Sequence, residues 1–150
     1  MKNEVLVHNL SQKINLGSAV LRIMLASVLF PHGAQKMLGW FGGYGFEGSM
    51  NYFTETVGLP YLIALSVILI EFLGPLLLLF GYFSKVVAAL IFMLFIGIFL
   101  THTENGFFMN WFGNQAGEGY EYHLLVLAIS LGIMVLGGGK FTLSTLFKKQ

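Results

Sequence analysis

The chain contains no cysteine. That excludes disulfide and thiol chemistry, iron–sulfur ligation and cysteine-built zinc sites within it. Charge is also scarce: of 150 residues, 10% are charged, against about 25% in soluble domains. The net charge of +1 offers no electrostatic basis for holding nucleic acid. What fills the sequence instead is apolar: 56% of residues are hydrophobic and the mean hydropathy is +0.77. This balance predicts a membrane protein.

A bilayer core of about 30 Å needs about 20 mostly apolar residues per helix. Four stretches meet or approach that length, at about 16–38, 60–83, 84–102 and 120–137. In lipid a helix satisfies its own backbone groups, so the expected fold is all-α, an integral membrane four-helix bundle forming a single domain over residues 1–150. The short turn at Tyr82, Phe83, Ser84 and Lys85 makes a hairpin of the second and third spans, and Gly137, Gly138 and Gly139 stop the fourth. The first fifteen residues are mostly polar, which predicts that no leader is cleaved and that the first helix stays as an anchor. Lys2, Lys13, Lys85, Lys140, Lys148 and Lys149 fall at one end of the spans, whereas the other end carries Lys36 with Glu47, Glu55, Glu104 and Glu118. By the positive-inside rule both termini are expected in the cytoplasm and the two long loops outside.

The two long loops carry related segments, WFGGYGFEG from Trp40 to Gly48 and WFGNQAGEG from Trp111 to Gly119, identical at five of nine positions. They are read as a parallel repeat of a helical hairpin, or as two aromatic interface loops alike only in composition.

Glu71 interrupts an otherwise apolar run, ALSVILIEFLGPLLLLFG. It lies about eleven residues from the outer end of its span, so about 16 Å deep. An ionised group there costs at least about 2.5–3.5 kcal/mol unless paired, hydrated or protonated. Arg22, about 9 Å from the inner end of the first span, is the leading expected partner. The plain alternative is a buried ion pair that only fixes how two helices dock. Pro75 removes the hydrogen bond that the Glu71 carbonyl would accept, and Gly74 leaves space beside it. On the first span Arg22, Leu29, His32 and Lys36 lie within about 80° of one another, a polar stripe expected to face the interior.

His32, His102 and His123 sit near the outer ends of their spans, with Glu121 at the same level. Three histidines and a carboxylate can ligate a transition metal, but no local spacing such as HExxH is present, and no metal site is assigned. A quinone-type head group is the alternative ligand, with an imidazole donating to its carbonyl and Tyr120, Tyr122, Phe107, Phe108 and Trp111 enclosing the ring.

The succession FPHGAQKMLGWFGGYGFEG, GLP, EFLGPLLLLFG, THTENGFFMNW and GEGYEYHLLVLAIS resembles the DoxX family of small four-helix membrane proteins, from Leu21 to about Leu143. The HG-x-x-K-x-x-G-W-F-G-G block and the glutamate of the second span carry it most specifically. The resemblance implies a subunit of a membrane redox complex, as in the terminal oxidase or thiosulfate–quinone oxidoreductase assembly for which the family is named. It also implies that Arg22, His32, Lys36, Glu71, His102, Glu121 and Tyr122 are the family-like polar positions. The combined expectation has Glu71, His32 and His102 as catalytic residues and Arg22, Lys36, Trp40, Glu121, Tyr122 and His123 as cofactor-binding ones. The suspected cofactor is a quinone, and the candidate partners are the lipid bilayer, a redox partner protein and further copies of the chain. Any activity would be that of a subunit of a quinone-linked oxidoreductase. Two rivals stand beside this: a non-catalytic anchor or assembly module, and a small proton-coupled transporter.

Overall fold

A computed structural model describes residues 2–143 and 145. Among them there are five α-helices and no strand: α1 (Lys2–Leu38), α2 (Gly45–Asn51), α3 (Tyr61–Phe80), α4 (Ser84–His102) and α5 (Glu121–Leu136). α1, α3 and α4 are long and apolar enough to cross a membrane, and α5 is a shorter apolar helix of 16 residues. The chain is therefore an all-helical membrane protein. α1 packs on α3, α3 on α4, α4 on α5 and α5 back on α1, so these four helices close a ring of contacts. Leu25, Leu29, Leu78, Ile91, Phe95, Val126 and Ile133 fill its middle.

Gly137, expected to stop the last span, does so. Gly39, Gly81 and Gly137 follow α1, α3 and α5 with φ of 72°, 75° and 74°, a left-handed conformation that suits a residue without Cβ. At Gly81 the Tyr82 N–H bonds to the Leu77 carbonyl and the Gly81 N–H to that of Leu78, which closes the helix end.

α1 departs from expectation by starting at Lys2 rather than near residue 16. At 37 residues it is about 55 Å long, well beyond a bilayer core. Its first turns are amphipathic: Glu4, His8, Ser11, Gln12 and Asn15 share one face, and Leu6, Val7, Leu10 and Ile14 the other. A polar-looking leader is thus one half of a helix.

The first loop also differs. Residues 45–51 form α2, which runs on into a π-helical turn over Tyr52–Thr56. Met50 of α2 packs with Ala64 and Ile68 of α3, and Met37, Phe46, Phe53 and Leu59 close around them. This insertion covers the outer half of α3, so α1 ends well short of the start of α3. Gly33 of α1 lies against the backbone of Glu71 and Phe72, five residues from the last residue of α1 but ten from the first of α3. The outer ends of the two helices are offset by about 7–8 Å.

The corresponding second loop contains no α-helix. It is pinned by the Asn110 N–H on the Glu118 carboxylate at 2.8 Å and by the Glu121 N–H on the Phe107 carbonyl at 2.9 Å. The two segments share a left-handed glycine at Gly42 and Gly113, and little else of their conformation.

Candidate functional site

Glu71 is 4% exposed, and its partner is Lys36. The expected pairing with Arg22 is not formed, and the reason is geometric. Side chains on a helix lean toward its N-terminus. Gly33 brings α1 onto α3 so closely that a Cβ there would overlap the Glu71 carbonyl, and Lys36 stands one turn further along. From that turn the lysine leans back toward Gly33, while Glu71, on the antiparallel helix, leans outward to meet it. Arg22 lies eleven residues before Gly33, about 16 Å along the axis, and leans the other way.

Arg22 is fully buried at the opposite end of the ring. Its Nη1 donates to the Leu78 carbonyl at 2.7 Å, its Nη2 to that of Phe141 at 2.7 Å, and its Nε to that of Gly138 at 3.1 Å. Ser18, one turn before, donates to the Gly137 carbonyl. The guanidinium thus caps the C-terminal end of α3, where the helix dipole favours a cation, and holds the segment that follows α5. A buried arginine needs no carboxylate when carbonyls of this kind surround it.

Around the Lys36–Glu71 pair several polar groups gather. Glu71 is close enough to His32 and to the Tyr122 hydroxyl to act on both electrostatically. The His32 and Tyr122 rings are 6.0 Å apart. Tyr122 stands edge-on to Phe95 at 6.2 Å, and Phe95 is 6.0 Å from His123. His102 and His123, from α4 and α5, approach to 4.5 Å between ring centroids. His102 Nδ1 lies 2.8 Å from the Ile98 carbonyl oxygen, to which it donates. His32 is exposed, so the cluster has one open edge on α1, facing α5.

Two atoms in this cluster are buried with no hydrogen-bond partner in the protein: the Tyr122 hydroxyl and His123 Nδ1. Ser130 Oγ, two turns further along the His123 face of α5, is a third. Leaving such a group unsatisfied costs about 1–3 kcal/mol, so orphans in one place point to a ligand or to chemistry.

Of the expected site residues, the structure gathers Glu71, Lys36, His32, Tyr122, His123 and His102. Glu121 instead accepts the Trp111 indole N–H at 3.0 Å and holds the second loop. Trp40 is exposed and stands edge-on to Phe41. Arg22 caps α3 at the far end. Gly33, Ser84 and Ser130 were not singled out from the sequence, although Gly33 adjoins His32 and could have been read as a contact point. Among the described residues no three histidine, aspartate or glutamate side chains converge as a metal would require.

Comparison with known proteins places this geometry. Residues 17–104, which span α1 from Gly17 to the end of α4, match the DoxX family. Tyr122 and His123 lie beyond that stretch. The chain is 28% identical over 124 residues to a Bacillus subtilis (strain 168) protein described as "Putative oxidoreductase CatD", covering 83% of each. No solved structure matches. With more than half of its length matched, including the glycine, lysine and glutamate that join α1 to α3, the chain belongs to the DoxX family.

Proposed function

We propose that this protein is the membrane subunit of a redox complex and binds a lipophilic quinone at the cluster between α1, α3 and α5. The observation that carries this is the Tyr122 hydroxyl, buried without a partner beside the Lys36–Glu71 pair. A phenol in that position can donate to a ring carbonyl. His32, on the open edge, is placed to donate to the same head group as it arrives from the bilayer. Reduction of a quinone to the quinol consumes two electrons, supplied by a partner protein, and two protons. The Glu71 carboxylate, paired with Lys36 at rest, relays these protons one at a time. Each is taken up from water and passed to a ring oxygen, and after each transfer Glu71 returns to the Lys36-paired form. The chain contains no cysteine and thus no thiol or cluster of its own to supply electrons, so a partner protein delivers them. The similarity to a protein described as an oxidoreductase supports the same reading.

In this reading α1, α3, α4 and α5 form a single four-span bundle in the bacterial inner membrane. Both termini are cytoplasmic, because Lys13, Lys85 and Lys140 lie at the end capped by Arg22. Lys148 and Lys149, which entered the expectation of orientation, lie outside the described residues.

The test is a titration of a short-chain quinone into the purified chain in nanodiscs, followed by thermal unfolding and by a binding isotherm. Wild type is expected to gain stability as binding saturates, and Tyr122→Phe to bind about tenfold more weakly through loss of one hydrogen bond. A wild type indifferent to quinone, or a Tyr122→Phe variant that binds equally well, would count against the proposal. The anchor reading expects indifference in both proteins.

A further inference from the structure

Far from this cluster, at the end where Arg22 sits, a cleft of about 320 Å³ opens beside the first turn of α4. Gly81, Phe83, Ser84, Lys85, Gly138 and Thr142 are among its lining residues, and no side-chain carboxylate is among the described ones. We propose that this cleft binds a phosphate oxyanion, the chemistry shared by a phospholipid headgroup and free phosphate.

Four features converge there. First, α4 is a helix of 19 residues whose first N–H groups, those of Ser84, Lys85 and Val86, have no intrahelical acceptor. The earliest bond of the helix runs from the Val87 N–H to the Phe83 carbonyl. Such a turn carries partial positive charge and donors aimed outward. Second, the Ser84 hydroxyl is buried at the cleft wall and has no hydrogen-bond partner; the residue is 5% exposed. A phosphate oxygen would satisfy it.

Third, the glycines opposite make room for these donors. A Cβ on Gly138 would come within 3.0 Å of Ser84 Oγ, and one on Gly137 within 3.0 Å of Lys85 Cε. The carbonyls of Gly137 and Gly138 are already turned to Ser18 and Arg22. In a trans peptide the N–H points the opposite way, so those of Gly138 and Gly139 are turned away from these two partners, in a turn that lines the cleft. Fourth, the charge carried by the described residues there is of one sign. Lys85 lines the cleft, and Arg22 lies behind its wall, where a Cβ on Gly81 would come within 3.0 Å of Nη1. Phe83 and Val86, both exposed, form an apolar rim of the kind a lipid's glycerol and acyl chains would cover. The site is independent of the quinone proposal, because it shares no residue with that cluster.

The test uses the full chain in detergent micelles, titrated calorimetrically with short-chain phosphatidic acid and, separately, with inorganic phosphate. Saturable binding of the lipid alone identifies a headgroup site, and binding of both with similar affinity shows that the free oxyanion suffices. In either case Ser84→Ala with Lys85→Gln is expected to weaken binding at least about tenfold, through loss of charge-assisted hydrogen bonds. Lys140→Gln removes a positive charge from the same end without touching the cleft, and is expected to change binding less than about twofold. If the double variant does not fold, Ser84→Ala alone decides, with an expected weakening of about threefold or more. Equal binding by wild type and the cleft variant, equal weakening by Lys140→Gln, or no saturable binding of either probe would overturn the assignment.

Discussion

Arg22 and Glu71 are both buried charges in apolar helices, yet their surroundings differ in kind. All three hydrogen bonds of Arg22 go to carbonyls, one in the last turn of α3 and two in the segment after α5, so the guanidinium is satisfied and ties α1 to both. Glu71 is held by a single lysine that remains 26% exposed, and near it stands the Tyr122 hydroxyl, buried without a partner. A satisfied charge is architecture. One set near an unsatisfied donor, with an open edge at His32, is where a ligand would be expected. Under the proposed function, one end of the molecule holds it together and the other receives the ligand.

The largest expected effect comes from breaking the satisfied end. Arg22→Leu leaves the buried Leu78 carbonyl and the part-buried carbonyls of Gly138 and Phe141 without this donor and should lower stability by about 3 kcal/mol or more, read as a fall in thermal midpoint and in membrane abundance. Arg22→Lys should rescue little, since a point charge cannot reach three carbonyls in different directions. Next comes Lys36→Met, which strands the Glu71 carboxylate. Because Lys36 is partly exposed, the expected loss is about 2–3 kcal/mol, below the usual value for a fully buried pair. Combining it with Glu71→Met should restore most of that stability while abolishing quinone binding; recovery of both would remove the pair from the proposed site.

Gly33→Ala is comparable, about 2–3 kcal/mol, because the new Cβ would meet the backbone of Glu71 and Phe72 and force α1 and α3 apart. Its informative readout is the separation of α1 and α3, for instance by spin labels on the two helices, together with weakened coupling between Lys36 and Glu71. Tyr122→Phe should cost nothing in stability, and up to about 1 kcal/mol of gain is expected from removing an unpartnered buried hydroxyl. A clear destabilisation there would mean that the hydroxyl already has a structural role, which would blur the contrast between the two ends.

Much of the helical layout could be read in the order of residues. The segments expected at 60–83, 84–102 and 120–137 correspond to Tyr61–Phe80, Ser84–His102 and Glu121–Leu136, because long apolar runs bounded by Pro60, Gly81 and Gly137 leave few other solutions. The candidate site was legible as a set of residue types near one level, and not as a set of contacts. Pairing Glu71 with Arg22 came from depth counted along separate helices, assuming that α1 and α3 share an outer end. They do not, since α2 inserts where a loop was expected and shifts one helix against the other. The two related loops show the same limit. WFG makes room for a left-handed glycine in both, but α2 folds because Met50 and Phe46 find an apolar wall, whereas the second loop is held by Glu118 and Glu121.

By itself, the order of residues determined that this chain is helical, that it belongs in lipid, where three of its long helices stop, and which few polar side chains must find company inside. Only the tertiary structure decided the company. Helix formation is a local property of hydrogen bonding and hydrophobic runs, whereas the partner of a buried charge depends on the axial offset between helices and on the direction in which each side chain leaves its backbone. Gly33 and α2 set the first, the antiparallel packing of α1 and α3 sets the second, and between them they gave Glu71 to Lys36 and left Arg22 to the end of α3 and the segment after α5.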